Sequence, residues 1–169
     1  MTEIDIEARL SKADPDLGRV IKALIPRLGR LRPASSKLSP FEALVRAIIH
    51  QRMTDKAAET IYDRIRGLLS DELTPKAVSA LSHRSLRSAG LSTSKARAIQ
   101  NLADWFVADP RLAKSLASLS DEKIIESLTS ISGIGIWTVN VLLIFNLQRI
   151  DVVPAADLRI RRGVQLALA

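Results

Sequence analysis

The sequence of 169 residues contains no cysteine. This absence excludes disulfide bonds, thiolate zinc sites, cysteine-ligated iron–sulfur clusters and cysteine nucleophiles. Long hydrophobic runs are also lacking, because the most apolar stretch, 139–145, is far shorter than the roughly 18 residues that cross a bilayer. The first eight residues carry three acidic side chains and no apolar segment. We therefore expect neither a secretory signal nor a membrane partner.

Acidic residues are in the minority, with 18 Asp and Glu against 25 Lys and Arg, which gives a net charge of +7. A basic chain without targeting signals favours a polyanionic partner, nucleic acid above all. Charge alone leaves open that the chain is basic without such a partner. Hydrophobic residues make up 47% of the sequence, enough for a globular core, so a disordered chain is excluded.

Strand patterns are scarce, since only 150–153 looks extended and one strand cannot form a sheet. Elsewhere the apolar spacing is helical, as in the stripe of Phe41, Leu44, Val45, Ile48 and Ile49. Residues that favour helix starts predict a helix after Ser39 and further helices near Thr54, Thr74, Ser82, Thr93 and Ser120. A first helix is expected near Leu17. The sequence therefore predicts an all-α fold.

The most distinctive local pattern is a pair of glycines, Gly133 and Gly135, around Ile134. A helix is expected to end before them and another to begin near Ile136. Glycines allow a tight hairpin whose N–H groups face outward while Ile134 enters the core. N–H groups at a helix N-terminus favour an anion such as a DNA phosphate. An ordinary glycine-rich turn explains the spacing equally well.

Four segments, in this order along the chain, resemble the helix-hairpin-helix DNA glycosylase superfamily, and in particular its 3-methyladenine DNA glycosylase II branch. They are the early helix 41–51, the middle segment 90–99, the hairpin 128–145 and the segment 151–158. The resemblance implies two helical lobes with a DNA-binding cleft between them. Residues 38–147 would form the lobe with the hairpin, and residues 1–37 with 148–169 the second lobe, which is expected to be incomplete because family members continue further.

The resemblance implies a base excision repair enzyme that hydrolyses the N-glycosidic bond of an alkylated purine flipped out of the duplex. Asp157 corresponds to the family's catalytic aspartate, which would stabilise positive charge on the sugar and orient water. Asp157 also fits a helix N-cap, and both roles are compatible.

Trp137 corresponds to an aromatic residue of the base pocket, where an indole attracts a cationic alkylated base. A tryptophan packed in the core is the alternative. Family members that also cleave the DNA backbone use a lysine at this position. Trp137 in its place implies a monofunctional glycosylase.

Further contacts are implied by the same resemblance. The hairpin residues expected near DNA are Gly133, Ile134, Gly135 and Thr138. A wedge that fills the gap left by the flipped base would follow the early helix, where Gln51 fits the family pattern and Arg52 and Met53 compete for the wedge position. The main-chain carbonyls of Thr129, Ile131 and Ile134 correspond to a site for Na⁺ or K⁺, and no other cofactor is expected.

The expected partner is therefore double-stranded DNA with damaged bases, bound by a monomer in the cytoplasm at the nucleoid, or in the nucleus of a eukaryote. Two alternatives remain at this stage. One is a helix-hairpin-helix protein that binds DNA without catalysis. The other is a small helical interaction domain whose basic charge is incidental.

Overall fold

The computed structural model describes residues 3–29, 37–69 and 72–167. These ranges are helical with no strand, so the all-α prediction is confirmed. No helix in them is long and apolar enough to cross a membrane. The helices are α1 (Glu3–Ala13), α2 (Pro15–Leu28), α3 (Pro40–His50), α4 (Asp55–Leu68), α5 (Pro75–Ser79), α6 (His83–Ser88), α7 (Thr93–Ala108), α8 (Pro110–Ser115), α9 (Asp121–Thr129), α10 (Ile136–Val141) and α11 (Leu158–Ala167).

The chain divides into two compact units. The first unit consists of Met1–Ala34 and Pro154–Ala169 and contains α1, α2 and α11. The second unit, Ser35–Val153, contains α3 to α10. The first unit is thus built from both ends of the chain, and the second unit is one continuous segment. The domain limits drawn from the sequence stay a prediction.

The hydrophobic core lies in the second unit, where its buried residues run from Phe41 to Leu143. Helix α3 is central to it, and the stripe predicted on this helix is fully buried. Helices α2 and α11 contain no fully buried residue. Because burial of apolar surface is the main source of folding free energy, the second unit carries most of the stability of the described chain.

Helix starts coincide with hydroxyl side chains, as the sequence predicts. In five helices of the second unit the N-cap hydroxyl accepts a hydrogen bond from the backbone N–H three residues later, and the capping residues are Ser39, Thr74, Ser82, Ser92 and Ser120. Thr54 also stands at an N-cap, of α4, but its side chain makes no capping hydrogen bond. Each bond satisfies an N–H group that has no partner within the helix.

Two helices were not expected from the sequence. Helix α1 was missed because Ile4, Ile6 and Leu10 alternate with polar residues at a period of two, which is not a helical stripe. Helix α8 was missed although Asp109 before Pro110 is a helix start of the same kind as Thr74 before Pro75, which did predict α5. The next helix, α2, begins at Pro15 rather than near Leu17 because the Asp14 carboxylate accepts hydrogen bonds from the N–H groups of Asp16 and Leu17 at 2.9 and 3.0 Å.

Helix α10 widens at its end into a π-helical turn, Leu142–Asn146. The side-chain amide of Asn146 donates to the main-chain carbonyl of Leu38 at 2.9 Å. Leu38 lies just before α3, and Asn146 lies at the end of the last helical segment of the second unit. This hydrogen bond therefore joins a residue near the start of that unit to a residue near its end.

Candidate functional site

The turn between α9 and α10 forms a compact hairpin, as predicted. The N–H group of Ile131 donates to the carbonyl of Leu128 at 3.2 Å, and that of Ile134 donates to the carbonyl of Ile131 at 3.0 Å. Ile134 is only 5% exposed, so its side chain enters the core while the glycines on either side remain at the surface.

The two hairpin glycines have different physical roles. Gly133 has a φ of 94°, and a Cβ there would lie 2.6 Å from the Cβ of Ala98, so only glycine fits. Gly135 has an ordinary φ of −100°, and a Cβ there would meet nothing within 4 Å. The conformational argument from the sequence therefore applies to Gly133 alone. Gly135 instead serves as the N-cap of α10 without a capping side chain, which keeps the surface at that helix start open.

Helix α7 anchors the hairpin, which the sequence did not predict. Gly133 lies against Ala98, and the side-chain amide of Asn101 donates to the carbonyl of Ser132 at 3.0 Å. Ala98 and Asn101 are three residues apart and so lie on one side of α7. The hairpin backbone is thereby held against a helix whose own core residues are buried.

The chain leaves α3 through a type II turn, His50 to Met53. The N–H group of Met53 donates to the carbonyl of His50 at 3.1 Å, and Gln51 has φ −52° and ψ 118°. Arg52 follows with φ 55°, in the left-handed region that this turn position requires and that glycine usually occupies. A non-glycine residue kept in such a conformation is a feature that clusters at functional sites.

The two competing wedge residues occupy different environments. Arg52 is exposed at the corner of the turn. Met53 is half-buried and packs against the hydrophobic core. The turn therefore presents a cationic side chain to the outside and an apolar side chain behind it.

Gln51 connects this turn to the hairpin helix. Its side-chain amide donates to the hydroxyl oxygen of Thr138 at 2.9 Å. Thr138 is 1% exposed, so its side chain is not at the surface. Thr138 was expected near DNA from the sequence, and that role stays a prediction, while its buried side chain has a structural role toward Gln51.

Lys95 of α7 binds the main chain of the same turn. Its Nζ donates to the carbonyls of Ile49 and Gln51, both at 2.7 Å. The cation lies at the C-terminal end of α3, where the helix dipole and the unpaired carbonyls favour positive charge. Burial of the ammonium group lowers the pKa of Lys95. The role of Lys95 could not be predicted from the sequence, because it depends on the packing of α7 against the end of α3.

Trp137 lies in the first turn of α10 and is half-buried. Among the half-buried hydrophobic residues that the structure describes, Trp105 packs against the core, whereas Trp137 is not part of that layer. The indole of Trp137 therefore lies next to the hairpin and is half-buried, and its role in a base pocket stays a prediction.

Asp157 is the N-cap of α11. Its Oδ1 accepts hydrogen bonds from the N–H groups of Arg159 at 2.8 Å and Ile160 at 3.4 Å. The Asp157 N–H group in turn donates to the carbonyl of Pro154 at 2.8 Å. The capping role expected from the sequence is thus present, and it fixes the orientation of a carboxylate that is half-buried.

The three carbonyls expected to bind a monovalent cation lie around the hairpin. That of Ile131 accepts the N–H of Ile134 and has a second lone pair. Among the described hydrogen bonds none ends on the carbonyl of Thr129 or Ile134. Carbonyl oxygens suit such a cation, so the donor set fits it. In the part of the chain that the structure describes, no group of three or more His, Asp or Glu side chains could hold a metal ion.

The chain is similar in sequence to known base excision DNA repair proteins. Residues 45–168 match a family model described as "HhH-GPD superfamily base excision DNA repair protein". The DNA-3-methyladenine glycosylase 1 of Schizosaccharomyces pombe is 37% identical over 162 residues, which cover 93% of this chain and 69% of that protein.

Two solved structures are similar in fold and in sequence. A 3-methyladenine DNA glycosylase of Schizosaccharomyces pombe in complex with abasic DNA has a TM-score of 0.81 and 34% identity, covering 96% of this chain and 81% of that one. A DNA-3-methyladenine glycosidase of Bacillus halodurans has a TM-score of 0.77 and 31% identity, covering 94% of this chain and 72% of that one.

Proposed function

Since the chain belongs to the HhH-GPD superfamily of base excision DNA repair proteins, we propose that it is a DNA glycosylase that hydrolyses the N-glycosidic bond of alkylated purines. The names of the two glycosylases from Schizosaccharomyces pombe and Bacillus halodurans support 3-methyladenine as the type of substrate. Assignment to the type II branch rests on the resemblance of the early helix 41–51 and the middle segment 90–99, whereas the relative from Schizosaccharomyces pombe bears the name glycosylase 1. A panel of substrates separates these two types.

The observation that carries the proposal is Asp157, a carboxylate held in one orientation by two backbone N–H groups. In glycosidic bond cleavage the bonding electron pair leaves with the base, and positive charge develops on the sugar. A fixed negative charge stabilises that transition state without reorganisation. Water then adds to C1′ of the sugar, and its proton passes to Asp157 or to solvent.

Other residues of the site would bind and orient the DNA. An alkylated purine is cationic, and the accessible indole of Trp137 attracts such a base by about 0.5–2 kcal/mol. The start of α10 at Gly135 has the open surface and the N–H groups that a phosphate requires. We assign the wedge to the turn at Arg52 and Met53, with Arg52 at the exposed corner.

The carbonyls of Thr129, Ile131 and Ile134 would hold Na⁺ or K⁺ at the hairpin. Such an ion would supply positive charge next to a bound phosphate. No other cofactor enters the proposed reaction, which needs only water and the damaged DNA.

The first experiment is a release assay on duplexes that contain 3-methyladenine, 7-methylguanine, hypoxanthine or ethenoadenine. We expect release of free alkylated purine and an intact abasic strand. Absence of release from every duplex, with DNA binding retained, would favour the second candidate function, a DNA-binding protein without catalysis. The capping role of Asp157 is the observation that favours this alternative, because a cap alone explains an aspartate at that position.

Substitution of Asp157 separates catalysis from capping. Asp157→Asn keeps an oxygen for the N–H groups of Arg159 and Ile160 but removes the charge. We expect single-turnover excision to fall by about 10²–10³-fold and stability to change by less than about 1 kcal/mol. Asp157→Ala also removes the cap and should cost a further 0.5–2 kcal/mol, roughly. Full excision by a folded Asp157→Asn protein would end the catalytic assignment, and thermal melts measured in parallel establish folding.

A further inference from the structure

The turn proposed to enter the DNA is held by two side chains of neighbouring helices, the half-buried Lys95 of α7 and the buried Thr138 of α10. Lys95 Nζ donates hydrogen bonds to the carbonyls of Ile49 and Gln51, both at 2.7 Å. The hydroxyl oxygen of Thr138 accepts a hydrogen bond from the side-chain amide of Gln51 at 2.9 Å. Gln51 is therefore bound through its main chain by α7 and through its side chain by α10. The next residue, Arg52, has the left-handed φ of 55°.

Resting on the function proposed above, we infer that Lys95 and Thr138 are positioning residues, which hold the turn at Arg52 in the conformation that flips the damaged base. The hydrogen bonds from Lys95 and to Thr138 fix Gln51, the first central residue of the turn. They thereby restrict the backbone of Arg52, the second central residue. Without them, the unfavourable φ of Arg52 would favour rearrangement of the turn. Neither residue would need to contact DNA for this effect.

The position of Lys95 is itself fixed. Its N–H group donates to the hydroxyl of Ser92, the N-cap of α7, at 3.3 Å. Thr138 lies one residue after Trp137 on the hairpin helix. The Gln51–Thr138 hydrogen bond therefore links the wedge turn to the helix that carries the proposed base-stacking indole. The wedge must enter the duplex when the base leaves it. The Gln51–Thr138 bond joins the turn that carries the wedge to α10, which carries the indole expected to stack on the base.

The test compares Lys95→Met with Lys114→Met in the full chain. Both remove one positive charge, but Lys114 is an exposed residue of α8, which is neither of the two helices that hold the turn. Binding is measured to an intact duplex and to one with an abasic-site analogue opposite 2-aminopurine, whose fluorescence rises when it is unstacked. Single-turnover excision on the best substrate of the panel and thermal melts complete the set.

We expect both variants to bind intact duplex within about twofold of each other, since each loses one charge. Lys95→Met alone should show no rise in 2-aminopurine fluorescence, because the turn is displaced. Its preference for abasic DNA and its excision rate should each fall by at least roughly tenfold. Lys95→Arg, which keeps the charge and the N–H donors, should restore most of this loss. Thr138→Val should change the same three quantities in the same direction, and it serves if Lys95→Met does not fold.

Equal fluorescence, preference and excision in folded Lys95→Met and Lys114→Met proteins would overturn the inference and leave the proposed function intact. A wild-type protein that prefers abasic DNA but releases no base would overturn the proposed enzyme, while the fluorescence comparison would still decide the role of Lys95. A wild-type protein that shows neither preference nor release would overturn both.

Discussion

Arg52 occupies a turn position that glycine fills at the lowest conformational cost. If its side chain acts on DNA, the strain is retained for function. Arg52→Gly should then be more stable than Arg52→Ala by about 1 kcal/mol, since alanine keeps the unfavourable φ. Both variants should lose abasic-site preference. Thermal melts and binding titrations check this pair, and an Arg52→Gly protein with undiminished preference would show that the side chain has no role in the wedge.

A second residue-scale prediction concerns the chemistry after base release. The resemblance to the superfamily implies that Trp137 corresponds to the lysine of members with lyase activity, and no lysine follows Lys123 in the sequence. A Schiff base between a lysine amine and the abasic sugar is therefore not expected at the hairpin. Borohydride should trap no covalent protein–DNA adduct, and strands should break only on alkali treatment. A trapped adduct would contradict the monofunctional assignment.

The roles of individual site residues could be predicted from the sequence to different degrees. Asp157 could be predicted as a cap because the N-cap depends on its immediate neighbours in the chain. The same holds for the burial of Ile134 in the hairpin. Lys95 and Asn101 could not be predicted, because both bind main-chain carbonyls of segments that are 30 or more residues away in sequence. A polar side chain of α7 shows no local sign of such a partner.

At the scale of elements, the hairpin offers a test of phosphate binding that does not disturb its backbone. Gly135 has an ordinary φ and open space where a Cβ would lie. Gly135→Ala should therefore be close to neutral in stability. Gly135→Asp adds a negative charge at the start of α10, and we expect it to weaken binding to undamaged duplex by roughly tenfold, about 1.4 kcal/mol.

The control for this prediction is the other glycine. Gly133→Ala should destabilise the protein by about 1–3 kcal/mol, because the new Cβ would meet Ala98 and the φ is left-handed. Chemical denaturation distinguishes the two positions. If Gly135→Asp binds intact duplex as well as Gly135→Ala does, the hairpin is not the phosphate anchor.

The helices show where sequence reasoning at this scale succeeds and where it stops. Starts after Ser39, Ser82 and Ser120 were predicted because serine is a favoured N-cap residue whose effect depends only on its neighbours in the chain. The π-helical turn at the end of α10 could not be predicted, because no sequence pattern distinguishes it from an α-helical turn. Placement of α7 beneath the hairpin also depends on tertiary packing, which periodicity within one helix does not encode.

At the scale of the whole molecule, the distribution of buried residues predicts that the second unit folds alone. In the ranges that the structure describes, the buried residues of the hydrophobic core all lie between Phe41 and Leu143. A fragment of residues 35–153 should therefore be helical and melt cooperatively. It should bind undamaged duplex with strong salt dependence, since it contains the hairpin. It should release no base because Asp157 is absent, and release by the fragment would contradict the role of that residue.

The hydrogen bond from Asn146 to the carbonyl of Leu38 joins a residue near the start of the second unit to a residue near its end. Because the first unit contributes residues on both sides of it in the sequence, the second unit is, in topological terms, an insertion into the rest of the chain. Such a segment can be transplanted into a surface loop of another protein without pulling that loop apart. It also allows circular permutation: a short linker could join the old ends, and new termini could open in an exposed turn.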